Sequence, residues 1–171
     1  AWLNHPRTKQ LGELERRATV AEAQQKLVEF AGGITKNPPS QERLQLIHRL
    51  NDATKLSDTE VTCTIAIVRS VARAINPLLP QAKRYGADEL RDALAAVQGR
   101  YAPIMNNARI VRYLFTYQTA DDSELERHVQ FWESGSGRWL IAAVQSGYAS
   151  AALRISSALT AKIPERVKAL R

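Results

Sequence analysis

The residues best placed to do chemistry lie in the stretch ELERHVQFWESGSGRWL, residues 124–140. Glu124 and His128 stand four apart, so on a helix they share a face and could present a carboxylate and an imidazole to one metal ion. A zinc site needs a third protein ligand, and no His-Glu-x-x-His pattern supplies one, so the pair reads as a surface Glu–His contact and no metal is expected. Glu133 follows Phe131 and Trp132 and precedes Ser134-Gly135-Ser136-Gly137-Arg138-Trp139. It is the one catalytic candidate in the chain. The same residues also suit the corner of a helical hairpin.

The rest of the sequence offers little competing chemistry. There is no Gly-x-Ser-x-Gly nucleophile elbow, no Gly-x-Gly-x-x-Gly after a strand and no phosphate loop, so nucleotide chemistry and cofactors are not expected. His5 and His48 are the other two histidines. The single cysteine, Cys63, lies in the apolar run VTCTIAIV and reads as a buried small hydrophobe; alone, it permits no intramolecular disulfide.

The elements that must position Glu133 are helices. Glycine and proline are sparse among 171 residues, alanine and leucine are common, and no hairpin dipeptide or strand alternation stands out. Residues 1–9 read as a flexible arm and 10–171 as one helical domain. Apolar positions from Leu11 to Phe30 recur at helical spacing, ended by Gly32-Gly33. Ser40 caps a helix with Leu44, Ile47 and Leu50 inward. Ser57 and Glu60 form a capping box for the next, with Leu56 and Val61 as its staple. Leu78–Tyr85 suggests a short helix. Asp88–Tyr117 suggests a long one, kinked or broken near Pro103.

Asp121 or Asp122 caps a helix with Leu125, Val129 and Trp132 on one face and Phe131 beside it. A turn at Gly135–Gly137 then leads into a last helix, with Leu140, Val144, Tyr148, Ala151, Ala152, Ile155 and Leu159 along one side; Pro164 starts a final turn. The fold class is all-α: an array of about six or seven mainly antiparallel helices ending in a helical hairpin. The capped starts of LSDTEVTCTIAIV and TADDSELERHVQFW are loosely alike, as in a duplicated helical unit.

The net charge of +7 is spread among acidic residues with no Lys/Arg block, which makes a nucleic-acid role unlikely and leaves an anionic envelope polymer possible. No apolar run approaches the roughly 20 residues that span a bilayer. The small first residue, Ala1, fits a terminus left by signal-peptide cleavage, and hence a periplasmic or secreted setting.

Two resemblances bear on the corner. WESGSGRW resembles the Glu-Ser signature of lytic transglycosylases and the Glu-Ser-Gly-Gly-x-Trp piece of resuscitation-promoting-factor domains. That resemblance implies a lysozyme-like enzyme in which Glu133 is the general acid on peptidoglycan, its pKa raised by apolar shielding from Phe131, Trp132 and Trp139. The glycine-led segment that follows in those enzymes is absent here.

Residues 113–153, from YLFTYQTADDSEL to SGYASAAL, resemble the bacterial domain-of-unknown-function family 2059 through Asp122, Glu124, Leu125, Val129, Phe131, Glu133, Ser134, Gly137 and Trp139. Gly135 stands where many of its members carry proline. This resemblance covers about a quarter of the chain. It implies an all-helical, exported bacterial protein with no assigned functional residues.

The residues together favour a non-enzymatic protein that binds a protein partner or itself. Phe131, Trp132, Glu133, Arg138 and Trp139 are the candidate binding residues, with Glu133 as the alternative catalytic one. In that reading the glycines supply positive φ at the corner, a serine caps the new helix, and Arg138 pairs with Glu133 or stacks on a ring.

Overall fold

The computed structural model describes residues 6–169, and among these the chain is all-α. Seven helices follow one another: α1 (Pro6–Arg17), α2 (Ala21–Gly33), α3 (Gln41–Thr54), α4 (Leu56–Ile75), α5 (Ala87–Thr116), α6 (Asp122–Glu133) and α7 (Gly135–Ala169). Of the arm expected over residues 1–9, residues 1–5, His5 among them, lie outside the described residues; residues 6–9 belong to α1. No described helix is long and apolar enough to cross a membrane.

The single helix expected over 11–30 is two. The Thr19 hydroxyl turns back to donate to the Arg16 carbonyl at 2.7 Å, and Val20 adopts an extended conformation before α2. Both residues are β-branched, so the helix yields where its side chains are stiffest. The short helix expected over 78–85 is instead two 3-10 turns, Asn76–Leu78 and Gln81–Lys83. Pro77 and Pro80 each lack an N–H, which prevents a regular α-helical ladder there. The Asn76 side chain closes the segment by donating to the Tyr85 carbonyl and accepting from the Tyr85 N–H, both at 2.8 Å.

The carboxylate of Glu89 accepts the Gly86 N–H at 2.8 Å and starts α5, which stays helical through Pro103 without a break. α4 begins at Leu56, one residue ahead of its expected cap Ser57. Before it, Lys55 ends α3 in the left-handed region at φ 48°, and its N–H reaches the Asn51 carbonyl at 2.9 Å.

The chain gathers into two compact units. The first comprises residues 1–55 and 106–141, the second residues 56–105 and 142–171. The first unit holds the main core. Leu11 of α1, Leu46, Ile47 and Leu50 of α3, Tyr113 and Leu114 of α5, and Leu125 and Val129 of α6 close together with Tyr117 and Ala120 from the α5–α6 connection. Ile47, Leu125 and Val129 are fully enclosed, as the inward stripes of α3 and α6 require. Ser40 caps α3 as expected, its hydroxyl accepting the Arg43 N–H at 3.1 Å.

The second unit buries less. Val61, Ile65 and Ala74 of α4, Leu94 of α5 and Ala152 of α7 are covered. The Ser156 hydroxyl donates to the Ala66 carbonyl at 3.5 Å, setting α7 beside α4. Three residues of the expected inner stripe of the last helix, Tyr148, Ala151 and Ile155, are exposed instead.

Leu125→Ala removes a fully enclosed side chain from the first unit's core. It is expected to lower the unfolding free energy by about 2 to 5 kcal/mol in urea titration, whereas Leu153→Ala on the exposed side of α7 should change it by less than about 0.5 kcal/mol.

Candidate functional site

The α6–α7 corner is tighter than expected. One residue, Ser134, separates the helices, and Gly135, Ser136 and Gly137 form the first turn of α7. No described glycine has positive φ, so conformational freedom is not what the glycines supply. Space is. A Cβ on Gly137 would stand 2.2 Å from the Phe131 carbonyl oxygen and 2.6 Å from the Trp132 Cα, because the first turn of α7 lies directly on the last turn of α6. Gly135 has open space at the same distance. Ser134 caps the junction as foreseen: its hydroxyl accepts the Gly137 N–H at 3.2 Å and donates to the Phe131 carbonyl at 2.6 Å.

Of the five candidate residues, Phe131 and Trp132 form an edge-to-face pair at 5.1 Å. Arg138 does not pair with the Glu133 carboxylate; its guanidinium donates to the Glu133 backbone carbonyl at 2.7 Å. The carboxylate is held by a residue the sequence reading missed. Arg49 of α3 donates to both its oxygens, at 3.0 and 2.8 Å, and to Glu126 at 2.7 Å. Trp139 shields none of this: it is 72% exposed on the surface of α7.

Arg49 holds the Glu133 carboxyl below the ordinary carboxylate value. A general acid needs the opposite shift. Glu133 is also 41% exposed, which leaves little apolar shielding. An open groove of about 400 Å³ in the first unit is lined by Leu14, Ala18, Ala23 and Phe115 with Arg17 and Lys26, and not by Glu133.

His128 is not a surface residue. It is 4% exposed, and its Nε2 lies 3.0 Å from Trp132 Nε1, 3.1 Å from the Tyr117 hydroxyl and 3.2 Å from Glu15 Oε1. Tyr117 also donates to Glu15, at 2.5 Å. An indole N–H can only donate, so Nε2 either accepts from Trp132 or, carrying a proton, donates to Glu15; it cannot do both at once. A protonated ring would instead donate toward Glu15 and lose Trp132. Partial burial pushes the Glu15 carboxyl up, but the bond from Tyr117 and, when Nε2 carries a proton, the bond and charge of His128 outweigh it and leave the pKa lowered. Burial and the neighbouring Glu15 charge raise the Tyr117 phenol well above 10.

A second clamp joins α3 to the α5–α6 connection. Arg43 donates to the carbonyls of Tyr117 and Ala120, at 3.2 and 2.6 Å, and pairs with Asp122 at 2.7 Å. Asp122 is thereby engaged across the fold, and Asp121 occupies the cap position of α6. Cys63 is half-buried and His48 exposed; among the described residues no group of three His, Cys, Asp or Glu could hold a metal ion.

The fold and the corner together describe an all-α protein whose conspicuous polar residues are engaged in holding helices. No protein-family model, curated protein or solved structure matches this chain.

Two outcomes test this geometry. Gly137→Ala should destabilise the chain, whereas Gly135→Ala should be neutral or stabilising by up to about 1 kcal/mol in thermal unfolding. The second concerns acid. Glu15 has its folded pKa depressed below 4.5, so its contribution is complete above that value and fades as pH falls through the folded pKa. Glu15→Gln should therefore flatten the acid limb of a stability–pH curve, with wild type and variant converging at low pH.

Proposed function

We propose that this is an exported bacterial helical protein that works by binding a partner or a further copy of itself, rather than by transforming a substrate. The observation that carries the reading is Trp139. A tryptophan left 72% exposed beside Arg138, on a helix start fixed by Gly137 and Ser134, is a rigid aromatic anchor of the kind that dominates binding energy once a partner covers it. The resemblance over residues 113–153 supports export. The Arg49 pair, which favours an ionised Glu133, weighs against glycan hydrolysis at that residue.

The test is capture on immobilised protein of a bacterial envelope extract and of purified peptidoglycan, at low and physiological salt. One retained protein, released by Trp139→Ala but not by Glu133→Gln, is the expected result. Glycan cleavage abolished by Glu133→Gln would replace this reading with the lysozyme-like one. Retention of any polyanion, collapsing with salt and indifferent to Trp139→Ala, would replace it with charge-driven binding.

A further inference from the structure

Within the second unit, α7 is exposed over most of its surface, and one of its exposed stripes is regularly spaced. Val144, Tyr148, Ala151, Ile155, Ala158 and Lys162 are spaced four, three, four, three and four residues apart, the spacing of a coiled-coil seam. Val144 is half-buried and the other five are exposed, with Tyr148 at 49% and Ile155 at 47%. Large and small residues alternate along the exposed middle of this stripe. That order decides what can cover it.

We infer that the stripe pairs with the same stripe of a second copy of this chain, antiparallel, about a two-fold axis between Ala151 and Ile155. In that register Tyr148 of each copy lies over Ala158 of the other, and Ile155 over Ala151, so every central layer sets a large side chain on a small one. Lys162 falls against Val144, where its aliphatic stem covers the valine and its ammonium stays in water. A parallel pairing would set tyrosine on tyrosine and alanine on alanine, leaving crowding and voids in alternate layers. It would also stack Lys162 on Lys162. Size thus selects the antiparallel pair. The inference rests on the interaction reading above and names the partner as a second copy of this chain.

The experiment is sedimentation velocity on the full chain across about 1 to 100 µM, the range in which a micromolar contact registers. The wild type should move from monomer to dimer. Tyr148→Ala and Ala158→Tyr should each raise the dissociation constant at least about tenfold, and the double variant carrying both changes should restore it, since the swap keeps one large and one small residue in each layer. These positions are exposed in the monomer, so circular dichroism should be unchanged. In a Cys63→Ser background, mixing Tyr148→Cys with Ala158→Cys should give the mixed disulfide.

A wild type that stays monomeric at about 100 µM would overturn the inference. So would Ala158→Tyr strengthening association, as on an unspecific apolar patch, or Tyr148→Cys cross-linking to itself. A monomeric chain that still captures a partner through Trp139 would sink the dimer and leave the interaction reading standing.

Discussion

A carboxylate drawn into the flank of a core must be answered by donors, and Glu15 is answered from two other helical segments. Tyr117, at the end of α5, and His128, on α6, converge on it, and Trp132 meets the same His128 nitrogen from one turn along α6. The apolar core alone would hold α1 against the rest through Leu11 and Leu14, which tolerate sliding. The polar contacts do not. They fix the register of α1 on α6, and they turn the Trp132 ring inward so that Phe131 can pack on its edge.

The arginines do the same for α3. Arg43 gives the Ala120 carbonyl a donor and adds a second to the Tyr117 carbonyl, which already accepts the Ala120 N–H, and Arg49 spans two carboxylates one face along α6. Forked guanidinium groups suit this task, because one side chain can meet two acceptors at fixed separation. Exposed pairs of this kind contribute little to stability singly; here their role is orientation. The residues that looked most chemical are thus spent on architecture, and the aromatic that looked like shielding is the one left outside.

Much of the fold was legible because it depends on periodicity. The stripes of α3 and α6, the Ser40 cap and the serine at the corner follow from spacing and local hydrogen bonding. The break after Arg17 was missed because the apolar period continues through it, while Thr19 ends the helix by a local bond that periodicity does not report. The corner was read with the wrong glycine property. Sequence shows that a residue lacks a side chain, but not whether the chain needs that for a dihedral angle or for room. The Glu15, Arg43 and Arg49 partners lie scores of residues away in sequence, and nothing local marks them. His128 could be singled out, but its burial depended on α1 and α5 arriving at the same place.

The connection between α6 and α7 is one residue long, and this has a consequence for how such a sequence can change. Each residue added to or lost from Ser134 would rotate α7 by about 100° about its axis. Trp139 would then point elsewhere, and the space that Gly137 keeps open would be presented to a different neighbour. Substitutions along α7 alter one position at a time, whereas a single insertion at the corner would redirect every residue of its first turns, Trp139 among them. Homologous chains that use this face should therefore vary freely in residue type along the helix while keeping the length of the corner constant.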